Sequence, residues 1–60
     1  MNEQNFETFD DGVSNAIQDI KEGWIYPEDW TKESLSDQLI LAVGASEAYI
    51  AGYNSVVFSR

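Results

Sequence analysis

The chain of 60 residues contains neither cysteine nor histidine, and this most constrains what it can fold into. A domain of this length buries only about 60% of the surface that its unfolded chain exposes. Small domains therefore usually depend on disulfides, a bound metal or association with another chain. Disulfides and thiolate metal sites are excluded here, and the commonest metal ligand and general base is missing. We expect one small domain over residues 1–60, without cofactor or metal, that gains burial as a homo-oligomer, such as a dimer, or with a partner.

Charge is abundant and unevenly distributed. Eleven Asp and Glu residues stand against three Lys and Arg, which gives a net charge of -8. Residues 1–37 contain ten of the acids and two of the bases, whereas Glu47 and Arg60 are the charged residues of positions 38–60. Such a chain is repelled by nucleic acid and anionic membranes and attracted to basic protein surfaces. With 43% hydrophobic residues, it is too apolar for a disordered acidic tail.

A two-faced pattern predicts a first helix over residues 5–22. The spacing of its apolar side chains places them on one face and the acids on another, as in a surface helix with one buried stripe. Gly12 weakens the helix by about 1 kcal/mol, so an alternative begins the helix at Asp11 and leaves residues 1–10 as an arm. Gly23 is predicted to end it. The apolar face contains Phe6, Phe9, Val13, Ala16, Ile17 and Ile20; the acidic face contains Glu3, Glu7, Asp10, Asp11, Asp19 and Glu22.

Residues 23–31 form a connection between helices. Pro27 disfavours helical geometry at the residue before it and predicts a single turn that begins at the proline. Thr31 is predicted as an N-cap, with Trp30 and Leu35 at the two positions of a hydrophobic staple. Of the three clustered aromatic residues, Trp24, Tyr26 and Trp30, we expect most to lie in the core and Tyr26 to be the exposed one.

The remaining residues, 32–58, are predicted to form an apolar helical hairpin. A second helix over 32–43 would bury Leu35, Leu39 and either Ala42 or Val43. Residues 44–46 would end the second helix, and a third helix from Glu47 to about Phe58 would follow. The buried face of the third helix would contain Tyr49, Ile50, Tyr53 and Val57.

A single unbroken helix over residues 32–58 is the alternative for this segment. Gly44, Ala48 and Gly52 recur every four residues, a spacing that would line a close contact between helices. Either way, the predicted fold class is all-α, as a small helical hairpin or three-helix domain.

The adjacent acids do not form a credible catalytic or metal site. Asp10-Asp11 and Glu28-Asp29 are neighbours in sequence, and neighbouring side chains on a helix do not face each other. The segment Asp10-Asp11-Gly12 lacks the alternating oxygen ligands and the closing glutamate of an EF-hand. We therefore predict that the chain is not an enzyme.

A membrane interpretation of residues 39–58 is also considered, because the segment has the length of a spanning helix. Glu47 lies inside it, an acid in mid-membrane is costly, and Arg60 alone flanks it. A soluble hairpin is the preferred interpretation, with a small membrane-associated protein as a third hypothesis. Residues 1–5 lack the basic and apolar regions of a signal peptide, so a cytoplasmic location is expected.

Several short elements between residues 21 and 56 are shared with a known family. They are Lys21-Glu22 at a helix end, Tyr26 in an acidic connection, Leu35-Ser36-Asp37 at a helix start, Ala42, Tyr49-Ile50-Ala51 and Ser55-Val56. On these elements the chain resembles the Ocr-type anti-restriction proteins of tailed phages. The resemblance implies a helical dimer whose carboxylates imitate DNA phosphates and block restriction enzymes. The chain departs from the family in lacking its long acidic C-terminal extension and in having Gly52 where an acid is usual.

The leading functional prediction is a phage-encoded acidic inhibitor that acts in the host cytoplasm. It would imitate nucleic-acid backbone charge and occupy the basic groove of a host defence or DNA-processing protein of restriction or CRISPR type. Duplex DNA carries one charge per about 1.7 Å, so eight charges match about 14 Å of duplex and a dimer about 27 Å. The alternative is a structural or adaptor module that assembles through its apolar C-terminal half. The predicted partner-binding residues are Glu3, Glu7, Asp10, Asp11, Asp19, Glu22, Tyr26, Glu28, Asp29, Glu33 and Asp37.

Overall fold

Short polar side chains determine where each helix begins in the computed structural model, which describes residues 6–59. The Thr8 hydroxyl accepts a hydrogen bond from the backbone N–H of Asp11, and the Ser46 hydroxyl accepts one from that of Tyr49. Thr31 forms a capping box with Ser34. Such caps satisfy backbone donors that the first turn leaves free. The helices are α1 (Phe9–Lys21), α2 (Lys32–Val43) and α3 (Glu47–Val57), and a 3₁₀ turn spans Pro27–Asp29.

The helices run up, down and up, so α1 and α3 are parallel. Two hydrogen bonds establish this direction: Asn15 donates to the Tyr49 hydroxyl, and the Tyr53 hydroxyl donates to Asp19. Both pairs are separated by 34 residues, and a constant separation means that the two helices advance together. α3 packs far more extensively on α1 than on α2. The prediction of an all-α, three-helix domain is confirmed for residues 6–59.

Two glycines allow α1 and α3 to pack backbone against backbone. A β-carbon at Gly12 would lie 2.1 Å from the carbonyl oxygen of Tyr49, and one at Gly52 would lie 2.2 Å from that of Phe9. No other residue type fits at either position without separating the helices. The predicted small-residue stripe is therefore wrong except at Gly52, since Ala48 is exposed and Gly44 has open space around it.

The core is built mainly by α3. Buried Tyr49, Tyr53 and Val57 meet Ala16 from α1 and Leu35 from α2. Partly buried side chains close the core around them, including Phe6, Ile20, Trp30, Leu39 and Ile50. The predicted buried face of α3 is confirmed, with Ile50 at its edge. On α2 the prediction holds for Leu35 and Leu39, whereas Ala42 and Val43 are exposed.

The prediction for α1 is wrong in its start and holds only in part for its buried face, where Ala16 is buried and Phe6 and Ile20 pack against the core. The helix begins at Phe9 rather than at residue 5 or at Asp11, because Thr8 is extended and caps it. Residue 5 lies outside the described residues. The close approach at Gly12 turns Gly12 and Ala16 toward α3, so the apolar stripe is not centred on the core. Phe9 and Ile17 are consequently about half exposed.

The break between α2 and α3 is confirmed, and the single-helix alternative is wrong. Gly44 has a φ of 64°, a left-handed conformation that glycine adopts without strain and that ends a helix. The 3₁₀ turn begins at Pro27 as predicted. Within the connection, Trp24 is 73% exposed and Tyr26 is 55% exposed, whereas Trp30 packs against the core. The predicted exposure of Tyr26 is confirmed, but the expectation that most of the three aromatic residues lie in the core is wrong, because Trp24 is even more exposed.

Each helix in the described part of the chain is too short or too polar to cross a membrane.

Candidate partner-binding surface

The acidic side chains lie at the surface. Residues 6–59 contain ten acids and two lysines, Lys21 and Lys32. None of these acids is buried, and eight are exposed; Asp11 and Asp19 are partly exposed. The negative charge of residues 6–59 is therefore available to a partner.

Four acids surround the shared start of α1 and α3. Ser46 joins the two starts, because its backbone N–H donates to the Phe6 carbonyl oxygen at 2.9 Å and its hydroxyl donates to that of Glu7 at 2.6 Å. This contact brings the first turn of α3 beside the first turn of α1. We call the set Glu7, Asp10, Asp11 and Glu47 the first acidic cluster.

Five acids lie at the opposite end of the bundle, where α1 ends and the first half of α2 lies. The 3₁₀ turn packs near the end of α3, since Pro27 and Glu28 line a depression with Val57 and Phe58. α1 rises about 1.5 Å per residue, so the two ends of its acidic surface are about 18 Å apart. We call the set Glu22, Glu28, Asp29, Glu33 and Asp37 the second acidic cluster.

Asp19 is tied to the core rather than grouped with the surface acids. It accepts a hydrogen bond of 2.6 Å from the hydroxyl of Tyr53, a residue that is 1% exposed. Burial and this hydrogen bond raise the pKa of Tyr53 above its usual value of 10.0. Burial also raises the pKa of Tyr49, and the charges of Asp19 and Asp11 add to that effect. Asp19 therefore has a structural role that its position on a helical wheel does not reveal.

Tyr53→Phe is expected to lower stability near neutral pH by about 1 kcal/mol, because Asp19 loses a hydrogen bond but remains partly solvated. The wild type should also lose stability above about pH 10. There the unfolded chain releases the phenol proton while the folded chain, with its raised pKa, retains it. Tyr53→Phe should show less alkaline loss. Urea unfolding at about pH 7 and about pH 11 checks this, with Tyr26→Phe at an exposed position as the control. Equal alkaline loss in wild type and Tyr53→Phe would contradict it.

A groove separates α1 from α2, with α3 beneath it. Its volume is about 530 Å³. Volumes of roughly 300–1,000 Å³ are usual for ligand sites. One wall comes from α1, the opposite wall from α2, and Tyr49 forms part of the floor. The lining residues are Phe6, Asn15, Gln18, Asp19, Glu22, Leu39, Val43 and Tyr49.

An exposed apolar surface on α2 was missed by the sequence analysis. Leu41 is 83% exposed, and Ile40 and Val43 are also exposed. The helix has apolar residues on several faces, so its pattern does not reveal which of them meet the core. By contrast, Tyr49 and Tyr53 are buried. They are the large side chains through which an adaptor would be expected to assemble if it used its C-terminal half.

The predicted binding residues are thus divided among three places. Glu7, Asp10 and Asp11 belong to the first acidic cluster, and Tyr26 lies exposed in the connection. Asp19 faces the groove and Tyr53. Glu3 lies outside the described residues. Among residues 6–59, no three acids come together in an arrangement that would hold a metal ion. The other predicted residues, Glu22, Glu28, Asp29, Glu33 and Asp37, form the second acidic cluster.

Comparison with known protein families, curated proteins and solved structures finds no match to the chain. The resemblance to the Ocr-type proteins therefore stays a prediction.

Proposed function

We propose that the chain is an acidic inhibitor protein that binds the basic nucleic-acid groove of a host defence or DNA-processing protein. The single observation that carries the proposal is that ten acids and two lysines lie in residues 6–59 and none of the acids is buried. Such a surface attracts a basic partner over distance and repels nucleic acid. The source would be a phage, the location the host cytoplasm, and the target a protein of restriction or CRISPR type.

The charge density of the domain supports this proposal. The described part of the chain is 32 Å long and has eight more acids than lysines. A single strand of B-DNA carries one phosphate per about 3.4 Å, so 32 Å of strand carries about nine charges. One chain therefore approaches the linear charge of one strand. Two chains in a dimer would approach that of a duplex.

Helix stability explains some of the acids but not all of them. Asp10 and Asp11 occupy the first turn of α1, and the first turns of the other helical elements also contain acids. An acid in a first turn stabilises its helix by about 0.3–1 kcal/mol. Glu22 lies at the carboxyl end of α1, where the helix dipole disfavours a negative charge, and its carboxylate instead accepts hydrogen bonds from Gln18 and Trp24. Asp37 and Glu7 also lie outside the first turns, so a partner is the simplest reason for their charge.

The test is binding to purified restriction endonucleases and CRISPR effector complexes over a range of salt concentrations. Affinity should fall at least about tenfold between 0.05 and 0.5 M salt, because the Debye length shortens from about 14 Å to about 4 Å over that range and screens the exposed charges. Duplex DNA should compete for the same site, and the chain should inhibit DNA cleavage. Binding that ignores both salt and duplex DNA would contradict the proposal.

A second candidate is an adaptor module that assembles through α2. The exposed Ile40, Leu41 and Val43 favour it, since large apolar side chains at a surface often mark an interface. The same surface would suit self-association into a dimer. This candidate expects binding that resists salt and is lost in Leu41→Lys, whereas the inhibitor proposal expects Leu41→Lys to retain most of its salt-dependent binding.

A further inference from the structure

We propose that the groove between α1 and α2 receives one arginine side chain of the basic partner. The inference rests on the proposed function, because a basic nucleic-acid groove supplies the arginine. It goes further in stating where on the chain the cation is inserted and which kind of side chain fits.

The hydrogen-bonding groups of the groove match a donor-rich cation. Asp19 and Glu22 contribute carboxylates, which only accept hydrogen bonds. Each of the two amides that line the groove uses one N–H inside the protein: Asn15 donates to the Tyr49 hydroxyl at 2.8 Å, and Gln18 donates to Glu22 at 2.7 Å. Their carbonyl oxygens thus remain as acceptors. A guanidinium has five donors and no acceptor, so it can donate hydrogen bonds to these carboxylate and carbonyl oxygens.

The apolar parts of the groove match the rest of an arginine side chain. Leu39 and Val43 form the wall opposite the acids, where the aliphatic stem of arginine can pack. Phe6 is partly exposed and packs edge-on against the buried Tyr49 ring, and it contributes an aromatic ring on which a guanidinium stacks more readily than an ammonium. The negative field of Asp19 and Asp11 reaches the floor of the groove, since both charges help to raise the pKa of Tyr49. The same negative field would attract a cation placed at the floor of the groove.

The experiment uses the full chain and a probe that needs no identified partner. The probe is the tripeptide Gly-Arg-Gly with both ends blocked, and the matched control peptide contains citrulline, which has the same shape as arginine without its charge. Titrations are followed by backbone amide chemical shifts. The arginine peptide should shift residues lining the groove, and the citrulline peptide should not. A lysine peptide should bind at least about threefold more weakly, because it lacks the planar fork.

Two variants of equal charge locate the site. Val43→Arg places a guanidinium at the groove wall and should weaken peptide binding at least about tenfold, since the internal cation occupies the acids. Leu41→Arg adds the same charge on the same helix at an 83% exposed position outside the groove, and should bind nearly as the wild type does. If Val43→Arg fails to fold, Glu22→Gln replaces it, with Glu7→Gln in the first acidic cluster as its control.

Several results would overturn the inference. They are equal binding of citrulline or lysine, equal loss in Val43→Arg and Leu41→Arg, or shifts spread over the first acidic cluster. The proposed function is tested separately, by the salt dependence of partner binding. Salt-dependent binding of a nucleic-acid enzyme with no arginine binding in the groove would overturn this inference alone. Salt-insensitive partner binding would overturn the proposed function even if the groove binds the peptide.

Discussion

The Gly12→Ala variant is expected to melt about 8–16 °C below the wild-type chain, since a net loss of about 2 kcal/mol shifts the melting temperature of a domain of this size by about 4–8 °C per kcal/mol. The added methyl group would lie 2.1 Å from the Tyr49 carbonyl oxygen and 2.8 Å from the Tyr53 backbone nitrogen. Both atoms belong to the backbone of α3, so no side-chain rotation relieves the clash. Overpacking costs about 1–3 kcal/mol or more, and the better helix propensity of alanine returns only about 1 kcal/mol. A small domain has about 3–9 kcal/mol of stability to lose.

Thermal unfolding followed by circular dichroism measures this effect. Ser14→Ala is the matched control, because it adds the same favourable residue to an exposed position of the same helix. It should melt at the wild-type temperature or slightly above. If Gly12→Ala melts as high as Ser14→Ala, the close crossing of α1 and α3 is wrong.

Gly12 also shows why the sequence predicted the helices better than their packing. Local signals suffice for α2 and α3: Thr31 caps one, Gly44 ends it and Ser46 caps the next, each within a few residues of the boundary that it sets. In α1, the local sequence indicates only that Gly12 lowers the stability of the helix. Its real role depends on Gly52, 40 positions later in the chain, and no local pattern reports that the two helices touch there.

The binding surface was predictable in composition but not in arrangement. Exposure of the acids follows from their charge, because burying an unpaired carboxylate is prohibitive. The engagement of Asp19 by Tyr53 required the parallel packing of α1 and α3, which no helical wheel contains. Likewise, the exposure of Leu41 depends on how little of α2 is covered by the other helices.

Neutralising the two acidic clusters separately is expected to slow association with the partner in each case. One variant combines Glu7→Gln, Asp10→Asn and Glu47→Gln, and the other combines Glu28→Gln, Asp29→Asn and Asp37→Asn. All six side chains are exposed, and neither variant alters a residue that lines the groove. Steering charges raise association rates by about 10- to 1,000-fold in total, so each variant should lose a part of that factor. Release should change less, because surface charges act mainly on the encounter.

A charge-conserving variant separates charge from shape. Glu7→Asp, Asp10→Glu and Glu47→Asp change every side chain of the first set but keep the net charge. This variant should associate at nearly the wild-type rate if the partner responds to charge alone. The fold should survive all three variants, since a first-turn acid contributes only about 0.3–1 kcal/mol and relief of self-repulsion offsets part of that loss.

Stopped-flow association with a purified target, at low and at physiological salt, measures the effects. The clusters are about 18 Å apart along α1, more than the roughly 8 Å Debye length at physiological salt, so they should act independently there. Imitation of an extended phosphate backbone requires both clusters to contribute to the association rate. In a variant that carries all six substitutions, the logarithm of the rate loss should equal the sum of the logarithms for the two separate variants. If one cluster carries the entire effect, the partner reads a local patch. In that case the chain does not imitate a phosphate backbone, and the partner binds only the acidic cluster whose neutralisation slowed association.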